Sequence, residues 1–315
     1  MGSQKMIDQN TQKPKVAILL AAYNGEKYIK KQIESIFNQK DVHLDIFISL
    51  DRSTDRSIEI INELCTSNQH IHFLPYGERF GNAGRNFYRL IRDTDIGSFE
   101  YIAFSDQDDY WHQDKLIHAI KTIKEKNIEC YSSDVIAYWP SEEKRQIIKK
   151  SQPQKEYDYI FEAAGPGCTY LFSRNFLENF KNFLLLNWED SQEINLHDWY
   201  IYAYARSRGI KWHIDNIPKI DYIQHGGNLV GVNKGLTAYK NRIQLICKEI
   251  WIGQVIRIYN LTKNQPILPI EKLESKKSSA FLYLSINSFK FRRKYSDSLF
   301  FKFIFFVLFL KNSFK

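Results

Sequence analysis

Three carboxylates fall within four residues at Ser105-Asp106-Gln107-Asp108-Asp109, directly after the apolar run YIAFS at 101–105. Like charges gathered at the end of a buried segment repel one another, and a divalent cation held by oxygen ligands reconciles them. Mg²⁺ and Mn²⁺ suit carboxylates together with the phosphate oxygens of a nucleotide. The competing reading is a solvated acidic turn in which Asp109 caps the following helix. Asp51, in LDRSTD after another apolar run, is placed to accept from a base N–H or a ribose hydroxyl, while Asp55 reads as the cap of the next helix. Gly81-Asn82-Ala83-Gly84-Arg85-Asn86 brings a cation and an amide to a helix start, a chemistry suited to diphosphate.

Such groups need strand ends to hold them. Apolar runs at 16–22, 44–50, 70–74 and 101–105 read as strands, the first continuous enough to be covered on both faces. Between them Ile29, Ile33, Ile36 and Phe37 mark one helical face, as do Ile58, Ile61 and Leu64, then Phe87, Leu90 and Ile91. Leu116, Ile117, Ile120 and Ile123 stripe a further helix. Strand and helix alternating at this spacing predict βαβ units and a mostly parallel sheet, which binds ligands beyond the carboxyl ends of its strands. Further on, 131–138, 169–173 and 220–224 read as strands, and 175–186, 198–206 and about 231–264 as helices. There is no internal repeat.

The 315 residues, 43% hydrophobic and 15% aromatic, exclude disordered and fibrous classes. Cys65, Cys130, Cys168 and Cys247 lie far apart without a C-x-x-C pair, which argues against a zinc site or disulfide scaffold and for a reducing compartment. The polar start, Met1 to Lys15, lacks the apolar stretch of a secretory signal. Net charge is +8, but residues 230–315 carry 16 basic against 4 acidic side chains, so the first 229 are mildly acidic. A basic tail points to an anionic surface, phospholipid or nucleic acid. Its apolar run, Leu299 to Leu310, is too short to cross a bilayer, for which roughly 20 residues are needed. A basic, aromatic helix lying in the membrane interface fits that composition; packing on the protein's own core or on a second subunit is the alternative. Acidic strand ends and the lack of a recognition motif argue against nucleic acid. Gln265-Pro266 marks a joint, and removal of residues beyond Asn264 is expected to weaken membrane binding while sparing the chemistry of the strand ends.

AAYNGEKYI after the first strand, SLDRSTD after the second, GNAGRNF, and FSDQDDYWHQDKL together resemble a family 2 glycosyltransferase of the GT-A fold, over roughly Lys15 to Gly231. The resemblance implies an α/β, Rossmann-like, mostly parallel sheet with flanking helices. It divides the chain into a flexible 1–14, a catalytic domain at 15–231 (nucleotide-binding half 15–110, acceptor-side half 130–231) and a helical basic, aromatic extension at 232–315. Tyr23 and Asp51 would line the nucleoside pocket, with Ala22, Asn24, Arg85, Asn86 and Gln107 also on the donor. Asp108 would be the direct ligand of Mn²⁺ or Mg²⁺, Asp106 would lie nearer the sugar nucleotide, and His225 would bond phosphate or metal. The family usually carries two adjacent aspartates and a glycine after the second strand, where this chain has Leu50, Asp51 and Arg52.

Gly165 and Gly167 resemble the family's loop beneath sugar and acceptor, and the segment His197-Asp198-Trp199 resembles the one that bears the catalytic carboxylate on the acceptor side. An inverting displacement needs one general base for the acceptor hydroxyl. Asp198 is expected in that role, with His197 its competitor and helix capping its structural alternative. The SDQDD form with QHGGN-x-V-G downstream resembles members that transfer L-rhamnose from dTDP-rhamnose in bacterial surface polysaccharide assembly. That likeness implies a lipid-linked saccharide acceptor and an enzyme peripheral on the inner, cytoplasmic face of the plasma membrane; the alternatives are a UDP-hexose donor or, in a different class, a non-catalytic basic membrane- or nucleic-acid-binding protein, and a homo-oligomer is open.

Overall fold

The computed structural model describes residues 12–225, 250–274 and 277–313. Its centre is β1 (Lys15–Ala22), paired in parallel with β2 (His43–Leu50) on one side and β4 (Tyr101–Asp106) on the other. Alternation divides β1 cleanly. Ala17, Leu19 and Ala21 enter one apolar core, and Val16, Ile18, Leu20 and Ala22 enter the other. The continuous apolar run is thus a strand buried on both faces. The seven-stranded sheet runs β10-β6-β9-β4-β1-β2-β3, completed by β3 (Ile71–Phe73), β6 (Cys130–Ser133), β9 (Leu171–Ser173) and β10 (Trp212–Asp215). Only β9 is antiparallel to its neighbours.

Helices α1 (Ile29–Phe37), α2 (Ser57–Ser67) and α4 (Lys115–Lys126) cover one face, burying Ile29, Ile33, Ile61, Leu116 and Ile120. On the other face lie α3 (Ala83–Asp93), the short α5 (Asp158–Phe161), α6 (Arg174–Leu186), the short α7 (Trp188–Ser191) and α8 (His197–Ser207). Asn82 caps α3 by accepting from the Arg85 N–H at 2.8 Å. Asp55 does the corresponding work before α2, accepting from the backbone and hydroxyl of Ser57.

The expected strand over 131–138 is two strands. Asp134 separates β6, in the main sheet, from β7 (Val135–Trp139), in a second sheet ordered β5-β11-β7-β8. There β5 is Tyr110–Trp111, β8 is Lys144–Ile148 and β11 is Ile220–Ile223. The Asp134 N–H bonds Asp215 at 2.9 Å, and its carboxylate takes the backbone of Lys150 and Ser151, so one side chain turns the chain from sheet to sheet. The expected strand over 169–173 is shortened by a 3₁₀ turn at Gly167–Thr169. The capping role considered for Asp109 is overturned: β5 follows it, and α4 starts six residues later.

Four helices follow the residues left undescribed: α9 (Ile250–Thr262), α10 (Leu268–Glu274), α11 (Ser278–Ile286) and α12 (Tyr295–Ser313). The expected helix over 231–264 falls partly outside the described residues, and Cys247 wholly so. These helices share the core of the sheet's second face: Trp251 stacks on Trp199 and Phe161, and Phe161 meets Phe291 at 4.9 Å and Phe301 at 5.4 Å. Arg293 is buried against Asp158 of α5. Removing everything beyond Asn264 would therefore open a core, correcting the expectation that the tail can be cut without touching donor chemistry. The opposite side of α12 stays in solvent, with Phe303, Phe306, Val307 and Leu310 exposed. No helix among the described residues is long and apolar enough to cross a membrane.

Candidate active site

Parallel strands deliver their carboxyl ends to one edge, and there β1, β2 and β4 bring three loops together. The loop after β1 is bound to both neighbours. Gln107 accepts from the Tyr23 N–H at 2.9 Å and donates to the Tyr23 carbonyl at 2.8 Å. A Cβ on Gly25 would run into that same amide, so a larger residue there would push the Gln107 side chain off Tyr23. Asn24, at a φ of 46°, accepts from the Thr54 N–H at 2.9 Å and donates its own N–H to Ser53. Tyr23, half exposed, lies at this junction next to Ala22, which is buried.

Asp51 is buried at the end of β2 and accepts from the N–H groups of Arg52, Phe80 and Gly81, at 2.7, 2.9 and 2.8 Å. The carboxylate thereby ties the loop at Phe80 and Gly81 to the end of β2. Asn86 donates to the carbonyls of Ala22 and Ser49 at 3.1 Å each, tying β1 to β2 from beneath, and the Arg85 Nε donates to Gln192. The described bonds of Asn24, Asn86, Arg85 and Gln107 thus join neighbouring loops and strand ends to one another.

The acidic cluster is gathered as its sequence suggested. Burial pushes the Asp106 carboxyl up to about 7, with the charges of Asp108 and Asp198 adding to it. Asp108 is raised by burial and held back by His225, whose Nε2 stands 2.8 Å from its Oδ2. The His225 ring stacks on Tyr28 at 4.3 Å. Asp109 is raised well above the ordinary carboxylate range by burial first, then by Asp106 and Asp108, with the Cys168 thiol and Lys115 working against the rise. Ligand atoms of Asp106, Asp109 and Cys168 lie within 4.8 Å of one another. Buried carboxylates this close stay ionised only beside a cation. The ligand atoms that converge are therefore those of Asp106, Asp109 and Cys168, whereas the expected ligands Asp108 and His225 are paired with each other at 2.8 Å.

Asp198, in the first turn of α8, accepts from the Trp199 N–H at 2.7 Å, and burial lifts it to about 6. A carboxylate titrating there is a usable base at neutral pH. Its sequence neighbours face elsewhere. His197 stacks on Phe87 at 3.9 Å, is held neutral by burial that drives its pKa to about 3, and has an unpartnered buried Nε2. Trp199 is 3% exposed and donates to the Tyr159 carbonyl. The expected acceptor contacts of His197 and Trp199 thus fall inside the core. Gly167 leaves the space that the His197 ring fills, and the Gly165 carbonyl accepts from the Tyr170 hydroxyl at 3.1 Å. Gly226, Gly227 and Asn228 of the QHGGN segment lie outside the described residues.

Sequence reasoning missed Lys115 and Cys168. Lys115 is buried, its Nζ 3.5 Å from the centre of the Trp111 ring, and burial brings it down to about 7 near Asp109 and Cys168. Its signal was available: a lysine ending the polar stretch after an acidic cluster, one residue before an apolar stripe. Cys168 gave no signal.

Residues 17–181 match the family described as Glycosyl transferase family 2. The chain is 42% identical over 282 residues to the dTDP-rhamnosyl transferase RfbG of Shigella flexneri, covering 89% of this chain and 96% of that one. It is 29% identical over 226 residues to the UDP-Glc:alpha-D-GlcNAc-diphosphoundecaprenol beta-1,3-glucosyltransferase WfaP of Escherichia coli, covering 70% and 80%. Among solved structures it is similar to S. aureus TarS 1-349 in complex with UDP (TM-score 0.53, 14% identity, 90% of this chain and 76% of that one). It is also similar to the mannosyltransferase PcManGT from Pyrobaculum calidifontis in complex with GDP-Man and Mn²⁺ (TM-score 0.52, 15% identity, 88% and 76%). These two likenesses show the fold, which is GT-A.

Proposed function

Because this chain belongs to the family 2 glycosyltransferases, we propose that it moves L-rhamnose from dTDP-β-L-rhamnose, with inversion, to a hydroxyl of a lipid-linked saccharide in bacterial surface polysaccharide assembly. The observation that carries the donor is the likeness to a dTDP-rhamnosyl transferase along nearly the whole of both chains. Chemistry at the strand ends supports the transfer itself. Asp108, with Asp106 and His225, would hold Mn²⁺ or Mg²⁺, which supplies charge for the departing diphosphate. Asp51 and Tyr23 would border the nucleoside. Asp198 takes the acceptor hydroxyl's proton as that oxygen bonds C1 and the bond from C1 to the phosphate oxygen breaks. Inversion of a β donor gives an α-linked product.

A UDP-hexose donor is the second reading, favoured by the likeness to a UDP-glucose-dependent relative. A thermal-shift panel of nucleotide sugars with Mn²⁺ separates the two, because a ligand that binds only the folded chain raises its melting temperature. Stabilisation by dTDP-rhamnose above UDP-glucose supports the first reading; the reverse order sinks it. In the same assay Asp108→Asn loses the metal-dependent part of donor stabilisation, and calorimetry giving unchanged dTDP affinity in Mn²⁺ would remove Asp108 from the metal site.

The acceptor side of the proposal places the protein on the cytoplasmic leaflet. The exposed side of α12, with Phe303 and Phe306, bears Lys302 beside them and Lys311 at its end. Apolar rings with flanking cations suit an anionic interface. Replacing both phenylalanines with glutamate should cost about a hundredfold or more in binding to anionic vesicles, from roughly 1.5–3 kcal/mol per buried ring. Flotation equal to the parent would assign this face to a second subunit or to solvent.

A further inference from the structure

The residues that lead into α8, Gln192 to Leu196, are held from two sides. On the donor side, the Arg85 Nε donates to the Gln192 carbonyl at 2.8 Å, and the Asn82 amide donates to the Asn195 side chain at 3.3 Å. Gly84, at the same helix start, leaves room for the Asn195 carbonyl, which a Cβ there would strike. On the other side stands α9. The Gln254 amide grips the segment twice: its Oε1 accepts from the Asn195 N–H at 3.0 Å, and its Nε2 donates to the Glu193 carbonyl at 2.9 Å. Further along α9, Arg257 pairs with the Glu193 carboxylate at 3.2 Å, and earlier on it Trp251 stacks on Trp199 with ring centres 6.1 Å apart. Residues 251, 254 and 257 are spaced by three, so one face of α9 lies along 193–199. Asp198 falls within that stretch, in the first turn of α8. The turn starts directly from the gripped segment, since the Tyr200 N–H donates to the Leu196 carbonyl at 3.1 Å.

On the proposed reading of Asp198 as the base, we propose that Gln254 is its positioning residue: by bridging Glu193 and Asn195 it fixes where α8 begins and so where the Asp198 carboxylate stands. The other two contacts of that face serve differently. Arg257 and Glu193 are both half exposed, and an ion pair in solvent holds a loop weakly. Trp251 belongs to the apolar packing of the tail on Trp199 and Phe161. Gln254 alone of the three bonds both a backbone N–H and a backbone carbonyl, and the backbone sets the direction in which the helix leaves the loop. A displacement of about 1 Å in a reacting group costs about 10²-fold in rate, so a loosened loop is felt first in turnover. Gln254 touches no substrate and moves no proton; the acceptor proton goes to Asp198.

The test uses the full chain at saturating Mn²⁺ and donor, with two variants. Gln254→Met keeps the length of the side chain and loses both bonds; Gln254→Asn keeps the amide and is one methylene too short to bridge. Each should lower kcat about tenfold while dTDP affinity and melting temperature stay close to the parent's, because both lost bonds lie in the segment before α8. Added to Asp198→Asn, Gln254→Met should cost less than about twofold more, since a base that is gone cannot be misplaced. A Gln254 variant that melts like the parent and keeps the parental kcat overturns the proposal. So does a loss of the same size in both backgrounds, or a loss of kcat that comes only with weakened dTDP binding and a lowered melting temperature. Failure of the base assignment itself is separable, because full turnover in Asp198→Asn removes Asp198 whatever the Gln254 variants do.

Discussion

Asp198→Asn should bind donor nearly as the parent does and turn over about 10²–10⁴ times more slowly. The amide keeps the shape and can still accept from the Trp199 N–H, so the start of α8 is undisturbed. What it loses is the capacity to take a proton. The pH profile makes the prediction sharper. Burial places the parent's carboxyl at about 6, so the group is ionised and active above that value and protonated below it. Parental activity should rise through about pH 6 and level off, and in the variant that limb should vanish along with the rate. His197 cannot substitute, since burial keeps it neutral and its ring lies on Phe87.

The same shift has an opposite consequence for stability. A carboxyl whose folded value is raised favours the fold below its unfolded value near 3.8, and that advantage is lost as pH rises through about 6. At neutral pH the neutral amide escapes this cost, so Asp198→Asn should melt higher than the parent while working worse. Steady-state kinetics with acceptor, dTDP calorimetry and a melting curve together check the claim. Normal turnover would exclude Asp198 as base.

Much of the site was readable because it is local. Asp51 and the Asp106 to Asp109 cluster sit at strand ends, and strand ends follow from apolar runs of the right length. Side-chain direction does not follow in the same way. The sequence puts Asn86 at a helix start suited to diphosphate, and the family resemblance puts Gln107 and Asn24 on the donor. Their described hydrogen bonds go to Tyr23, Thr54, Ala22 and Ser49, partners 30 to 84 residues away. His197 was ambiguous for a related reason: nothing beside it in sequence says which way its ring turns. The sign lay in Gly167, which has no Cβ to block the ring, and only the fold brings the two together.

Sheet membership was hidden as well. Residues 131–138 read as one strand, and only the pairing of Asp134 with Asp215 and the 150 loop shows the crossing into a second sheet. The tail's basic and aromatic composition was legible, but its relation to the catalytic core was not. Its apolar residues are spread around α12, and a helix apolar on all sides gives no preferred face from sequence. Phe301 and Phe305 are buried while Phe303 and Phe306 are exposed, a division set by where Phe161 and Phe281 happen to stand.

Asp158→Ala should destabilise the protein by about 3–5 kcal/mol, through removal of the shared partner of two guanidinium groups. Asp158 is fully buried, 135 residues from Arg293 in the chain, and accepts from Arg293 and the Tyr202 hydroxyl at 3.0 Å and from Arg206 at 3.1 Å. Arg293 is 5% exposed and also donates to the Ala163 carbonyl and pairs with Glu162, so it joins the tail to α5 and α8 at one point. Loss of the carboxylate leaves Arg293 charged in a dry site with only Glu162 at 3.7 Å. The cost comes chiefly from that orphaned charge and less from a favourable pair, and this difference is measurable. Adding Arg293→Met to Asp158→Ala should recover part of the lost stability, because an apolar side chain of similar length has no charge to strand. If the double variant is instead as unstable as the two single losses added together, the pair contributes nothing through its charges, and the tail is held by the packing of Trp251, Phe291 and Phe301 on Phe161 alone.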